Sequence, residues 1–152
     1  MKLRIYTDTS VLGGSEDEEF AEHSIRLMDG FVQGRRILIL SSLTIQELAA
    51  APAAVRGRLA AVPEAHIETR QLDTEAKGLA EAYIDAGVLT GAMRADAQHI
   101  AIATVARVDV LVSWNFKHIV NLQRIQGYNS VNLRQGYPMI EIRTPREVLS
   151  DD

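Results

Sequence analysis

The feature that most constrains this chain is a set of short, unbroken apolar segments placed between stretches of helical periodicity. Ile37-Leu38-Ile39-Leu40 and Val110-Leu111-Val112-Ser113-Trp114 show no regular polar alternation. A strand with one wet face alternates, whereas a strand covered by helices on both faces does not. Such segments predict a parallel sheet between two layers of helix. Leu3 to Thr7, His66 to Arg70 and Met139 to Ile142 read as further short strands.

The intervening stretches carry helix signals. Ser15 and Glu18 have capping-box spacing ahead of Phe20, Leu27, Met28, Phe31 and Val32, which recur at helical intervals. A helix is expected from Ser42–Leu43 through Ile45, Glu47 and Leu48. Pro52 is placed to open another through Val55, Leu59 and Val62, which Pro63 ends. Asp73 or Thr74 caps a helix through Leu79, Tyr83 and Ile84, with Gly87 suited to follow its C-cap. Another runs from Ala95–Asp96 to Val105, and looser helical spacing extends from Phe116 to Leu133. Thr144-Pro145-Arg146-Glu147 is a second capping box, with Pro at the first helical position. Together these predict a single α/β domain over 1–152, with a mainly parallel sheet of about five strands flanked by helices.

Composition removes several classes of function. With no cysteine, the chain has no disulfide, thiolate zinc site or cysteine nucleophile. Lys and Arg number 16 against 20 Asp and Glu, a net charge of -4, which disfavours passive phosphate neutralisation but suits an acidic site loaded with cations. No apolar run approaches the ~20 residues of a membrane span, and the start is interrupted too early for a signal peptide. The expectation is a cytoplasmic protein with no membrane partner. Gly-x-Ser-x-Gly, phosphate-loop and dinucleotide-turn motifs are all missing.

In an open parallel sheet, functional groups collect beyond the carboxyl ends of the strands. Asp8 and Asn115 follow two expected strands there. Asp8 either bonds the next turn or points into the crevice. Glu47 has capping-box spacing from Thr44, so it is either a helix-start acid or a site carboxylate. Asp96 sits in the Ala-rich Ala95-Asp96-Ala97-Gln98-His99-Ile100-Ala101, where a carboxylate among apolar neighbours needs a partner. If the three acids converge, they repel unless protons or cations intervene. Hard oxygen ligands without cysteine favour Mg²⁺ or Mn²⁺. His23, His66, His99 and His118 lack paired zinc spacing.

Four segments in this order resemble PIN domains, in particular the VapC-like toxins of bacterial toxin–antitoxin pairs. They are Asp8-Thr9-Ser10-Val11-Leu12, the helical Glu47, Ala95 to Ala103, and Leu111-Val112-Ser113-Trp114-Asn115-Phe116-Lys117-His118-Ile119. The resemblance implies a metal-dependent endoribonuclease with a five-stranded parallel sheet. Asp8, Glu47 and Asp96 then hold Mg²⁺ or Mn²⁺, and Asn115 stands where a fourth acid is common. Asn115 would orient water from an outer position, while Thr9, Ser10, Lys117 and His118 contact RNA. Thr9 and Ser10 also suit turn formation, Lys117 a solvated loop and Trp114 a core role. An antitoxin protein is the implied partner, and a homodimer a further one. The competing readings are a catalytically weak RNA- or protein-binding module of the same fold, and a metal-dependent phosphatase.

Overall fold

A computed structural model describes residues 1–149; the last three residues of the expected 1–152 domain lie outside the described residues. Five strands, β1 (Arg4–Thr7), β2 (Ile37–Ser41), β3 (Ile67–Arg70), β4 (Val110–Val112) and β5 (Ile142–Arg143), form one sheet in the order β3-β2-β1-β4-β5. All four pairings are parallel, with Ile5 opposite both Leu38 and Val110. The unbroken apolar strands have the two-sided cover they predicted. Tyr6, Ile39 and Leu111 enter one core layer with α5 (Thr74–Asp85), α6 (Arg94–Val105) and α7 (Leu122–Arg134). Ile5, Leu38, Leu40, Val110 and Val112 enter the other, with α1 (Thr9–Gly14), α2 (Ala21–Val32), α4 (Ala53–Ala60) and α8 (Pro145–Leu149). The short α3 (Ser42–Leu48) follows β2 directly. Among the described residues, no helix is long and apolar enough to cross a membrane.

Several local signals act as expected. Asp73 accepts a hydrogen bond from the Ala76 N–H at the start of α5, and Gly87 follows its C-cap at φ +77°. Thr144 and Glu147 close the reciprocal capping box of α8. Other boundaries move for identifiable reasons. Ser15 starts no helix, because it ends α1 and its hydroxyl donates to the Leu12 carbonyl at 2.7 Å; α2 begins at Ala21. The last strand is confined to Ile142–Arg143, because the Asn129 side chain bonds both the N–H and the carbonyl of Ile140. Helix α7 starts only at Leu122, where Asn121 caps it.

Trp114 is a core residue, stacked on Phe20 with ring centroids 4.4 Å apart, and its indole N–H donates to Ser24 at 2.8 Å. Gly14 makes room for that bond: a Cβ there would stand 2.7 Å from Ser24 Oγ and 2.9 Å from Trp114 Nε1. Gly14→Ala should therefore destabilise the protein despite its better helix propensity, because overpacking costs about 1–3 kcal/mol. Thermal unfolding tests this, and an unchanged melting temperature would show that the indole and Ser24 can yield.

Candidate active site

Strand β1 lies at the centre of the sheet, and the chain leaves it first towards β2 and β3, then returns on its other side as β4 and β5. This reversal opens a crevice beyond the carboxyl ends of β1 and β4, where ligands of such sheets bind. Asp8 stands there, at the N-cap position of α1, yet its side chain caps nothing. Instead Ser10 donates to its Oδ1 and Ser113 to its Oδ2, both at 2.6 Å. Each hydroxyl is itself aimed by the backbone. Ser10 Oγ accepts from the Trp114 N–H, and Ser113 Oγ accepts from the Asn115 N–H, both at 2.9 Å. Asp8 is only 4% exposed, and burial pushes its carboxyl above the usual carboxylate range against the opposing pull of His99 and the serines.

Glu47 has no capping role. Ser41 caps α3 by accepting from the Thr44 N–H, which leaves the Glu47 carboxylate free to bond across the crevice. Its Oε1 accepts from the Thr9 hydroxyl at 2.5 Å and meets His99 Nε2 at 2.8 Å. Burial alone would raise its carboxyl; the bonds from His99 and Thr9 outweigh that and hold it below the ordinary range. His99 Nδ1 is joined to the Tyr6 hydroxyl at 2.6 Å, and that hydroxyl also meets Ser41 Oγ at 2.8 Å. Burial holds the Tyr6 phenol well above its usual value, so the hydroxyl remains protonated.

Asp96 lies half-buried in the first turn of α6, and Asn115 Nδ2 approaches its Oδ1 at 3.4 Å. Burial raises its carboxyl most; His118 and His99 lower it, and the fields of Asp8 and Glu47 raise it further. Asp96 thus lies within the fields of both other acids. Among the described residues, however, no three His, Asp or Glu side chains come together as a ready-made ion cage. Asn115 turns its oxygen away from the crevice, accepting from the N–H groups of Lys117 and His118 at 3.2 and 3.0 Å. Its amide faces Asp96 instead, so the outer-shell oxygen expected from the sequence is engaged in the loop. Lys117 is exposed and His118 half-buried. Phe116, 52% exposed, lies at the rim with its centroid 6.2 Å from Trp114 and 6.3 Å from Phe20.

Three contributors were not assigned from sequence. Ser113 interrupts an apolar strand, Tyr6 is a polar aromatic two residues before Asp8, and His99 lies one turn after Asp96. Each is a polar group in a segment that packing should have kept apolar, which was the available signal.

No protein-family model matches the sequence, and no curated protein matches it. Among solved structures, the chain resembles one in the crystal structure of VapBC2 from Rickettsia felis bound to a DNA fragment from their promoter. The TM-score is 0.59 at 11% identity, covering 93% of this chain and 98% of that one. It also resembles a chain of DNA-bound VapBC from Salmonella typhimurium, with a TM-score of 0.55 at 21% identity, covering 94% and 98%. At these identities the likeness is one of fold: the five-stranded parallel sheet flanked by helices is shared with chains of both VapBC structures.

The raised carboxyl of Asp8 has a direct consequence for stability. The native state prefers its protonated form, so the group costs nothing in acid. The cost appears as pH climbs through the ordinary carboxylate range towards the raised value. Asp8→Asn, an amide that both serines can still bond, should raise the melting temperature at neutral pH and lose that advantage in acid. Melting curves across that range decide it, and a variant less stable at neutral pH would contradict the assignment.

Proposed function

We propose that this chain is a divalent-metal-dependent endoribonuclease that hydrolyses RNA phosphodiester bonds, and that it acts as the toxin of a toxin–antitoxin pair. The observation that carries the reading is the buried carboxylate of Asp8, set at the switch-point crevice with both oxygens bonded by serine hydroxyls and with Asp96 in the fields of both Asp8 and Glu47. A buried anion compensated in this way suits a cation better than solvent does.

The donor set fits Mg²⁺ or Mn²⁺: it is all carboxylate oxygen, hard and anionic. Asp8, Asp96 and Glu47 would hold the ion. When bound, such an ion supplies Lewis acidity towards a phosphoryl oxygen and activates water at neutral pH. The chain's own groups do the positioning. Ser10 and Ser113 fix both oxygens of Asp8, and Thr9 fixes one of Glu47. Since Thr9 and Ser10 give their protons to carboxylates, Lys117 and His118 are better placed to meet the RNA backbone. The exposed Phe116 ring offers a face on which an unpaired base can stack. An antitoxin as partner is supported by the two similar structures, both of which are VapBC complexes.

A cleavage assay on RNA with Mg²⁺ or Mn²⁺ tests the reading. Asp8→Asn and Asp96→Ala should each reduce cleavage to background while remaining folded. RNA binding without cleavage by the wild type would favour the binding-module reading, and turnover of a small phosphomonoester would favour a phosphatase.

Mn²⁺ should also stabilise the wild type, by about 2.7 kcal/mol at a hundredfold excess over its dissociation constant. Asn115→Asp sharpens this test, because it replaces the amide facing Asp96 with a like charge. Without metal it should destabilise by about 1–4 kcal/mol, the cost of like charges ~4 Å apart near a surface. With Mn²⁺ the sign should reverse. Melting temperatures of both proteins with and without Mn²⁺ give the coupling, and a value near zero would place Asn115 outside the metal site.

A further inference from the structure

Three acids come from three different elements, Asp8 after β1, Glu47 near the end of α3 and Asp96 at the start of α6, and Asp96 lies in the fields of the other two. Their relative placement has to be fixed by something other than chain connectivity. Glu47 has the least local restraint. Its side chain is 34% exposed, it belongs to a seven-residue helix, and the cap of that helix is made by Ser41. What holds its carboxylate comes from outside α3: the Thr9 hydroxyl and His99.

We infer that His99 is the positioning residue of this site, tying the Glu47 carboxylate to the elements that carry Asp8 and Asp96. The inference rests on the metal-site reading given above. His99 is 3% exposed, and both ring nitrogens are engaged, at 2.6 Å to Tyr6 and 2.8 Å to Glu47. An ionised carboxylate only accepts, so Nε2 carries the hydrogen that bonds Glu47. On the other side, Tyr6 is fully buried in β1, two residues before Asp8, and is anchored to Ser41 at the start of α3. His99 itself lies one turn after Asp96 on α6. One imidazole therefore joins the central strand, α3 and α6, and together with the Thr9 hydroxyl, which bonds the same oxygen of Glu47, it sets the distance between carboxylates that share no direct bond. His99 touches no substrate in this scheme; it acts through Glu47, as residues behind metal ligands commonly do.

The test measures Mn²⁺ binding by calorimetry, with RNA cleavage as a second readout. Four variants are compared with wild type: His99→Leu, His99→Gln, Tyr6→Phe and Asp8→Asn. His99→Leu should weaken Mn²⁺ binding by roughly 10–100-fold, the usual effect of losing an outer partner. His99→Gln keeps one N–H for Glu47 and should recover part of the loss. Tyr6→Phe keeps the ring, removes only the hydroxyl, and should show a smaller loss of the same kind. If His99→Leu fails to fold, Tyr6→Phe decides alone.

Asp8→Asn separates the two ideas. If it binds Mn²⁺ as tightly as wild type, the metal-site reading falls and this inference with it. If it loses Mn²⁺ while folded His99→Leu and Tyr6→Phe keep wild-type affinity, the metal site stands and the role of His99 is overturned.

Discussion

A carboxylate buried at the end of a central strand must be met by partners, or it gives up its charge by taking a proton. Here Asp8 is met by two serine hydroxyls, each already held by a backbone N–H from the segment after β4. Much of the crevice follows from that arrangement. The bonds join α1 to the end of β4 and turn the chain after Ser113 outwards, which sets Trp114 against Phe20 and Asn115 opposite Asp96. Hydroxyls satisfy a carboxylate's lone pairs without cancelling its charge. That is why burial still lifts its proton affinity, and why the site is suited to a cation.

The sheet was legible because its signal is coarse. Ile37 to Leu40 can be buried on both faces only under two helix layers, and the structure supplies them. The errors arose where one side chain outcompeted a pattern. Asn129 takes both polar groups of Ile140, ending the strand that Met139 to Ile142 suggested. Ser15 spends its hydroxyl closing α1, so its spacing to Glu18 has no consequence. These are contacts between residues that sequence spacing leaves unconnected or ambiguous.

The candidate site was legible in its acids and obscure in what holds them. Asp8, Glu47 and Asp96 could be picked out one at a time, each with an ordinary explanation beside it. For Glu47 the ordinary explanation fails, because Ser41 and not Thr44 caps α3. No local rule chooses between Ser41 and Thr44; the Tyr6 hydroxyl, thirty-five positions away, contributes by meeting Ser41. His99 was hidden for a related reason. As a zinc ligand it had no paired histidine, and its partners, Tyr6 and Glu47, lie on other elements.

Asn115 shows how one atom pair can separate architecture from electrostatics. Its oxygen accepts from Lys117 and His118, and this bond shapes the loop that carries Phe116. An aspartate can make the same two bonds through one oxygen, so the loop has no reason to distinguish the residues. The other atom does distinguish them. An amide turned towards Asp96 offers hydrogens to a carboxylate already raised by burial and by two neighbouring acids. An oxygen there would add to the repulsion unless a cation sat between them. The asparagine therefore lets the crevice close around its acids without a counter-ion, and in the metal site proposed above it would cost one anionic ligand. Under that proposal the site would depend the more on how well Asp8, Glu47 and Asp96 are held.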